Sequence, residues 1–201
     1  MLTIVDYGLG NLLSVKNMLK KIGINSKISN SINEINQAEK LILPGVGAFD
    51  NGMQRIRERG LESVLTKRVM NDKIPIFGIC LGMQLLGKRS EEGNEAGLGW
   101  IDAETVKFQF TNKVLKVPHM GWDYIKVKTV NPLISINQKQ RYYFVHSYHV
   151  KCNNTEDVMA TCHYGIEFTS MIHRENIFGA QFHPEKSLSF GMELLQNFVK
   201  L

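Results

Sequence analysis

Pro75-Ile76-Phe77-Gly78-Ile79-Cys80-Leu81-Gly82-Met83-Gln84-Leu85-Leu86 is the stretch that decides the fold. Its first half is short and wholly apolar, the pattern of a strand buried on both faces of a parallel sheet. A helix is expected to start directly after Cys80. Between the two, glycines stand two positions either side of a cysteine, which is the nucleophile-elbow pattern with cysteine in the serine place. Glycines at those positions leave room for a tight, strained turn that lifts the sulfur above the sheet edge. A helix N-terminus behind the sulfur favours the thiolate. Active sites of open α/β sheets lie at the carboxyl ends of the strands, where Cys80 falls. Cysteine is also among the most buried residue types, so a structural role competes. The glycine frame favours the nucleophile.

Toward the N-terminus, strand and helix patterns alternate. Leu2 to Asp6 reads as a strand, and Leu12, Val15, Leu19 and Ile22 follow at helical spacing with Gly23 as a stop. Ile24 to Ile28 suits a second strand. Ser31-Ile32-Asn33-Glu34 has the form of a capping box. Lys40 to Leu43 reads as a third strand, and residues 50 to 71 hold one or two helices. This β-α-β-α order predicts a doubly wound α/β fold, with a mostly parallel sheet and helices on both faces. After about residue 100 the strand-like runs crowd together: Thr105 to Phe110, Tyr124 to Val127, Tyr142 to Val145, Val158 to Cys162 and Ile177 to Phe182. They predict a mixed or antiparallel extension. Ser189 to Leu201 closes the chain as an amphipathic helix, with Phe190, Leu194, Leu195, Phe198 and Leu201 on one side. With no linker or repeat in view, residues 1–201 are expected to form a single domain.

The 201 residues are 43% hydrophobic and 21% charged, which suits a folded core and not a disordered chain. No apolar run approaches bilayer length, and the first residues lack a signal-peptide pattern, so a cytoplasmic protein without membrane contact is expected. Cys80, Cys152 and Cys162 form no CxxC pair and no zinc spacing. No metal or organic cofactor is implied. The net charge of +5 is spread along the chain without a basic stripe, and nucleic acid is not expected as a partner.

Two further segments carry chemistry. Gln181-Phe182-His183-Pro184-Glu185 follows an apolar strand. If extended, it projects His183 and Glu185 to the same side, so that the carboxylate reaches one imidazole nitrogen and the other faces the sulfur. Pro44-Gly45-Val46-Gly47-Ala48-Phe49 ends the third strand. Its glycines let backbone N–H groups approach a ligand and, with the amide of Leu81, form an oxyanion hole. An ordinary β-to-α loop is the plainer reading of that segment. Gly8-Leu9-Gly10 fails as a dinucleotide fingerprint, because Leu13 occupies the place of the third glycine. It reads as a tight turn into a helix.

Taken together, these segments resemble class I glutamine amidotransferases over the whole chain, and within that class the glutaminase subunits of imidazole glycerol phosphate synthase. The stretches that carry the resemblance are Asp6 to Asn11, Pro44 to Phe49, Gly78 to Leu86, Ser90 to Gly93, Pro118-His119-Met120-Gly121-Trp122 and Phe182 to Lys186. The resemblance implies a flavodoxin-like fold and a Cys80, His183 and Glu185 triad that hydrolyses glutamine. It implies an oxyanion hole from Leu81, Val46 and Gly47, and glutamine contacts from Gly45, Gly47, Leu81, Gln84, Glu92, Ser147 and Tyr148. It also implies a heterodimer with a (β/α)8-barrel cyclase in histidine biosynthesis, contacted by Asn11, Pro118, His119, Met120, Gly121, Trp122 and Lys186. Gly97 to Glu104 resembles a paralogous branch that supplies ammonia in bacterial surface-sugar biosynthesis. A stand-alone hydrolase of γ-glutamyl compounds and a non-catalytic regulatory subunit on the same fold are the remaining alternatives.

Overall fold

The computed structural model describes residues 1–110, 115–136 and 138–201. Strands β1 (Leu2–Val5), β2 (Ser26–Ser29), β3 (Lys40–Gly45) and β4 (Ile76–Cys80) alternate with helices α1 (Leu12–Lys21), α2 (Ile32–Asn36), α3 (Phe49–Glu58) and α4 (Leu61–Thr66). Helix α4 runs into a π-helical turn over Lys67–Asn71. Helix α5 (Leu81–Leu85) leaves β4 directly. The second half holds β5 (Arg89–Ser90), β6 (Ala103–Lys107), β7 (His119–Val127), β8 (Gln140–His146), β9 (Tyr148–Cys152), β10 (Val158–Tyr164), β11 (Ile166–Arg174) and β12 (Ile177–Ala180), then helix α6 (Leu188–Lys200).

All these strands join one sheet, whose main path runs β2-β1-β3-β4-β12-β11-β10-β7-β8. It is parallel from β2 to β12 and antiparallel beyond. A branch of β5, β6 and β9 joins at Thr169 of β11, which pairs with Val150. Side chains alternate across the parallel strands, as the pleat requires. Leu2, Ile4, Ile42, Phe77 and Ile79 pack with α1 and α6 on one face. Val5, Leu41, Leu43 and Ile76 pack with α2, α3, α4 and α5 on the other. Burial on both faces is the reason that β3 and β4 read as apolar runs, whereas β2 at the sheet edge, Ser-Lys-Ile-Ser, is partly exposed.

Several expectations shift. Ser31 occupies the N-cap of α2, yet its side chain makes no capping bond. The Glu34 carboxylate instead accepts from Ser29 Oγ and Lys27 Nζ, because the end of β2 brings those donors within reach. The strand expected over Thr105 to Phe110 begins at Ala103 and stops at Lys107, and the Phe108 ring turns inward against His146, His149 and Phe168. Leu201 lies beyond α6 and is 43% exposed, so it does not share that helix's buried side. Strands β9 and β11 had no counterpart in the sequence reading. Among the described residues, no helix is long and apolar enough to cross a membrane.

Candidate active site

The register of the parallel strands assembles the site. Gly45, the last residue of β3, lies opposite Cys80, the last of β4, and Ala180, the last of β12, lies opposite Ile79. Three chain segments therefore leave the carboxyl edge of the sheet side by side. Cys80 turns with φ +54° and ψ −110°, a region that non-glycine residues rarely occupy. The glycines around it are a packing requirement. A Cβ on Gly82 would lie 1.8 Å from the Leu43 carbonyl oxygen, and one on Gly78 would lie 2.8 Å from the Gly82 backbone. Only bare backbone lets α5 sit this close to β3 and β4. With five residues, α5 is little more than one turn, so the amide of Leu81 matters here more than any extended dipole.

His183 is held from both sides. Its N–H donates to the Tyr143 carbonyl on β8 (2.9 Å), and its carbonyl accepts from Ser187 Oγ (2.6 Å). Pro184–Lys186 forms a 3-10 turn that folds Glu185 back, with Oε1 2.8 Å from His183 Nδ1. The pairing expected from an extended segment is thus made by a turn. The two side chains are 1% and 2% exposed. Burial alone pushes the imidazolium pKa down. Cys80 and Glu185 together more than reverse that, and His183 is raised to about 10. His183 Nε2 has no hydrogen-bond partner among the described residues.

Cys80 and His183 share a cleft of about 490 Å³. Val46, Gly47, Leu81, Gln84, Glu92, Ser147 and Tyr148 line it, as expected. Gly45 sits behind the cleft and does not line it: a Cβ there would lie 2.3 Å from the Tyr7 hydroxyl and 2.8 Å from the Gly82 nitrogen. Two lining side chains are already engaged. Glu92 Oε2 accepts from the Phe49 N–H (2.8 Å), tying the loop after β3 to the Ser90–Gly93 turn. Gln84 Nε2 donates to the Tyr148 carbonyl (3.2 Å) and to Gln181 Oε1 (3.1 Å).

Gln181 was missed as a site residue. It is fully buried, and its Nε2 lies 3.7 Å from Cys80 Sγ. Its place in the quoted Gln181-to-Glu185 stretch was the available signal, but only the fold shows it beside the sulfur. Tyr7 is a second omission. Its buried hydroxyl has no hydrogen-bond partner among the described residues, and burial, with the charge of Cys80 adding to it, raises its pKa.

The residues expected to face a partner divide. Asn11, Pro118 and Lys186 are exposed, Met120 and Trp122 stand 61% and 39% exposed, and Gly121 is half-buried. Arg141 lies over the Trp122 ring, and Lys186 Nζ over the Tyr143 ring. Pro118 also lines the cleft. His119 is a correction: alternation along β7 turns its side chain inward, where it is 1% exposed and cannot meet a partner.

The model of the family described as glutamine amidotransferase class-I matches residues 3–201. The chain is 53% identical to a Pseudomonas aeruginosa protein named imidazole glycerol phosphate synthase subunit HisH 2, and the match covers 100% of both. It is 51% identical to a Methanococcus maripaludis protein of the same name, over 100% of this chain and 99% of the relative. A solved structure titled crystal structure of glutamine amidotransferase superposes with a TM-score of 0.77 at 22% identity, covering 98% of this chain and 97% of that one, and shows the shared fold. A match across nearly the whole chain, on a sheet edge that gathers a strained cysteine and a buried histidine–glutamate pair, places this chain in the class-I glutamine amidotransferase family.

Proposed function

We propose that the chain, as a single domain over residues 1–201, is the glutaminase subunit of an imidazole glycerol phosphate synthase. It hydrolyses glutamine to glutamate and passes ammonia to a cyclase in histidine biosynthesis, in the cytoplasm. The observation that carries this reading is the buried His183–Glu185 pair, with Nε2 unpartnered, on the same cleft as Cys80. The names of the full-length relatives support the pathway.

In this reading Cys80 Sγ attacks the side-chain amide carbon of glutamine. The N–H of Leu81 and one from Val46 or Gly47 hold the tetrahedral oxyanion. The His183 imidazolium gives its proton to the leaving ammonia. The neutral ring then takes a proton from the water that attacks the glutamyl thioester, releasing glutamate and the Cys80 thiol. Glu185 keeps Nδ1 protonated and steadies the imidazolium. Gln84 Oε1, Glu92 and the backbone of Ser147 and Tyr148 receive the amino-acid end of the substrate. Gly47, at φ +107°, lets the preceding peptide rotate between a carbonyl-in and an N–H-in state at small cost, which gives a partner a means of control. The partner is a (β/α)8-barrel cyclase seated on the exposed side of β7 with Asn11 and Lys186.

The test is glutamate release by the purified chain, alone and with the histidine-pathway cyclase of the same organism. Strong stimulation that disappears in Cys80→Ala is expected. Hydrolysis unchanged in Cys80→Ala would sink the assignment. No stimulation by a competent cyclase would transfer the partner role to the cyclase-like protein of the surface-sugar branch.

A further inference from the structure

Beside the cleft, three side chains hydrogen-bond in series. His119 and Asp123 both turn inward from β7, and β8 sets His146 opposite His119 in register. Asp123 Oδ2 lies 2.8 Å from His119 Nε2, His119 Nδ1 lies 3.0 Å from His146 Nε2, and His146 Nδ1 lies 2.8 Å from the Tyr148 carbonyl oxygen. That carbonyl also accepts from Gln84 Nε2, Gln84 donates to Gln181, and Gln181 donates to Cys80 Sγ. His146, Tyr148 and Gln84 all line the cleft.

The hydrogens in this series can be counted. A carbonyl only accepts, so His146 Nδ1 carries a hydrogen. One hydrogen must lie between the two rings, and a third between His119 and Asp123. Two neutral imidazoles bring only two. The third makes one ring an imidazolium or Asp123 a carboxylic acid, so the filled series has zero net charge. Removing that proton sets two lone pairs against each other at hydrogen-bond length, either in the part-buried His119–Asp123 contact or in the buried His119–His146 contact, and that contact opens.

His119 and His146 are 1% and 6% exposed, among Phe108, Phe144, Tyr164 and Phe168. Burial pushes His146 down to about 3, and burial lowers His119 against the opposing pull of Asp123. Asp123 is the only carboxylate in the series and touches His119, so the extra proton belongs to the Asp123–His119 contact and leaves as pH rises. The Asp123 side chain is 39% exposed, which gives it access to solvent. The titratable groups near the series from neighbouring elements are Cys162 and Tyr164 on β10, His149 on β9, and His183 beyond β12.

We propose that Asp123, His119 and His146 are positioning residues for glutamine: with their shared proton they hold the Tyr148 carbonyl, and through it Gln84, in the shape that binds substrate. This rests on the glutaminase reading above. Asp123→Asn offers a clean contrast. Its amide donates to His119 Nε2, and all three contacts are then filled by neutral groups with no extra proton.

The experiment measures glutamine KM and kcat against pH for wild type and Asp123→Asn, each in complex with the cyclase. Wild-type KM is expected to climb by up to about tenfold per pH unit above the titration of the series. Asp123→Asn should lack that climb, while kcat follows the same pH curve in both proteins. Parallel KM curves would overturn the proposal. Ring-nitrogen chemical shifts of His119 and His146 in the free chain give a readout independent of turnover. A one-proton transition present in wild type and missing in Asp123→Asn is expected, and no transition in wild type between about pH 5 and 9 would overturn the proposal. If neither protein hydrolyses glutamine, the glutaminase reading fails and the nitrogen shifts still decide the proton-holding series.

Discussion

At the scale of single residues, the site depends on atoms that are absent as much as on those present. Gly82 is the sharpest case, because a methyl group there would overlap the Leu43 carbonyl oxygen of a central strand. Backbone on both sides leaves nothing flexible to yield. Gly82→Ala is expected to lose about 3 kcal/mol or more, read from urea unfolding followed by circular dichroism. In the proposed mechanism Glu185 acts through His183. Glu185→Gln should reduce glutamine turnover by at least about a hundredfold, by analogy with the loss of a triad carboxylate. It should also lower the His183 pKa from its value of about 10, read by nitrogen shifts of the ring. The sign for stability follows from the raised folded-state pKa. The His183 contribution is complete below the ordinary histidine pKa of about 6.5, and is lost as pH rises through about 10. Unfolding of wild type and His183→Asn should therefore converge toward alkaline pH.

At the scale of elements, α6 holds the parallel half together. Its Leu194, Leu195 and Phe198 pack on the β-sheet face that carries Phe77, with the Phe198 and Phe77 ring centroids 5.4 Å apart. Lys40, at the start of β3, sends its Nζ to the Val199 carbonyl (2.6 Å) and so closes the end of that helix. Gly191 lets α6 approach the Pro184 carbonyl, where a Cβ would lie 1.9 Å from the oxygen. The helix thus braces the same turn that presents Glu185 to His183. Phe198→Ala should cost about 3–5 kcal/mol of stability in urea unfolding. It should lower glutaminase activity only in step with the folded fraction, since Phe198 lies outside the cleft.

At the scale of the whole molecule, β7 serves two surfaces. Its outward residues Met120, Trp122 and Tyr124 are exposed, and its inward residues His119 and Asp123 reach toward the cleft wall. A partner seated on the outward side would lie next to Pro118, which lines the cleft. Exposed aromatic anchors commonly dominate such interfaces. Trp122→Ala is expected to weaken the proposed cyclase complex by roughly 1–3 kcal/mol in a calorimetric titration. Glutamine hydrolysis by the free chain should be preserved.

The strands of the parallel half, the Cys80 elbow and the His183–Glu185 pair were legible because each signal is local. A strand buried on both faces must be an apolar run, an elbow must carry glycines where backbones touch, and a histidine–glutamate pair fits within one turn. The family resemblance named the lining residues Gln84, Glu92, Ser147 and Tyr148 without showing what else binds them. What the tertiary structure alone decided is non-local. Strand β11 is the exception: its partners β10 and β12 adjoin it in sequence, and it gave no clear signal because Thr169 and Ser170 interrupt its buried apolar residues. The inward turn of His119 comes from the register of β7 against β8, and a shift of one residue would have put it on the outer face. The approach of Gln181 to Cys80, across a sequence separation of 101, is set by β12 lying beside β4. Sequence by itself specified which groups could do the chemistry and which segments would be buried. Strand order and register then settled which of those groups meet, because such contacts join parts of the chain that local pattern does not link.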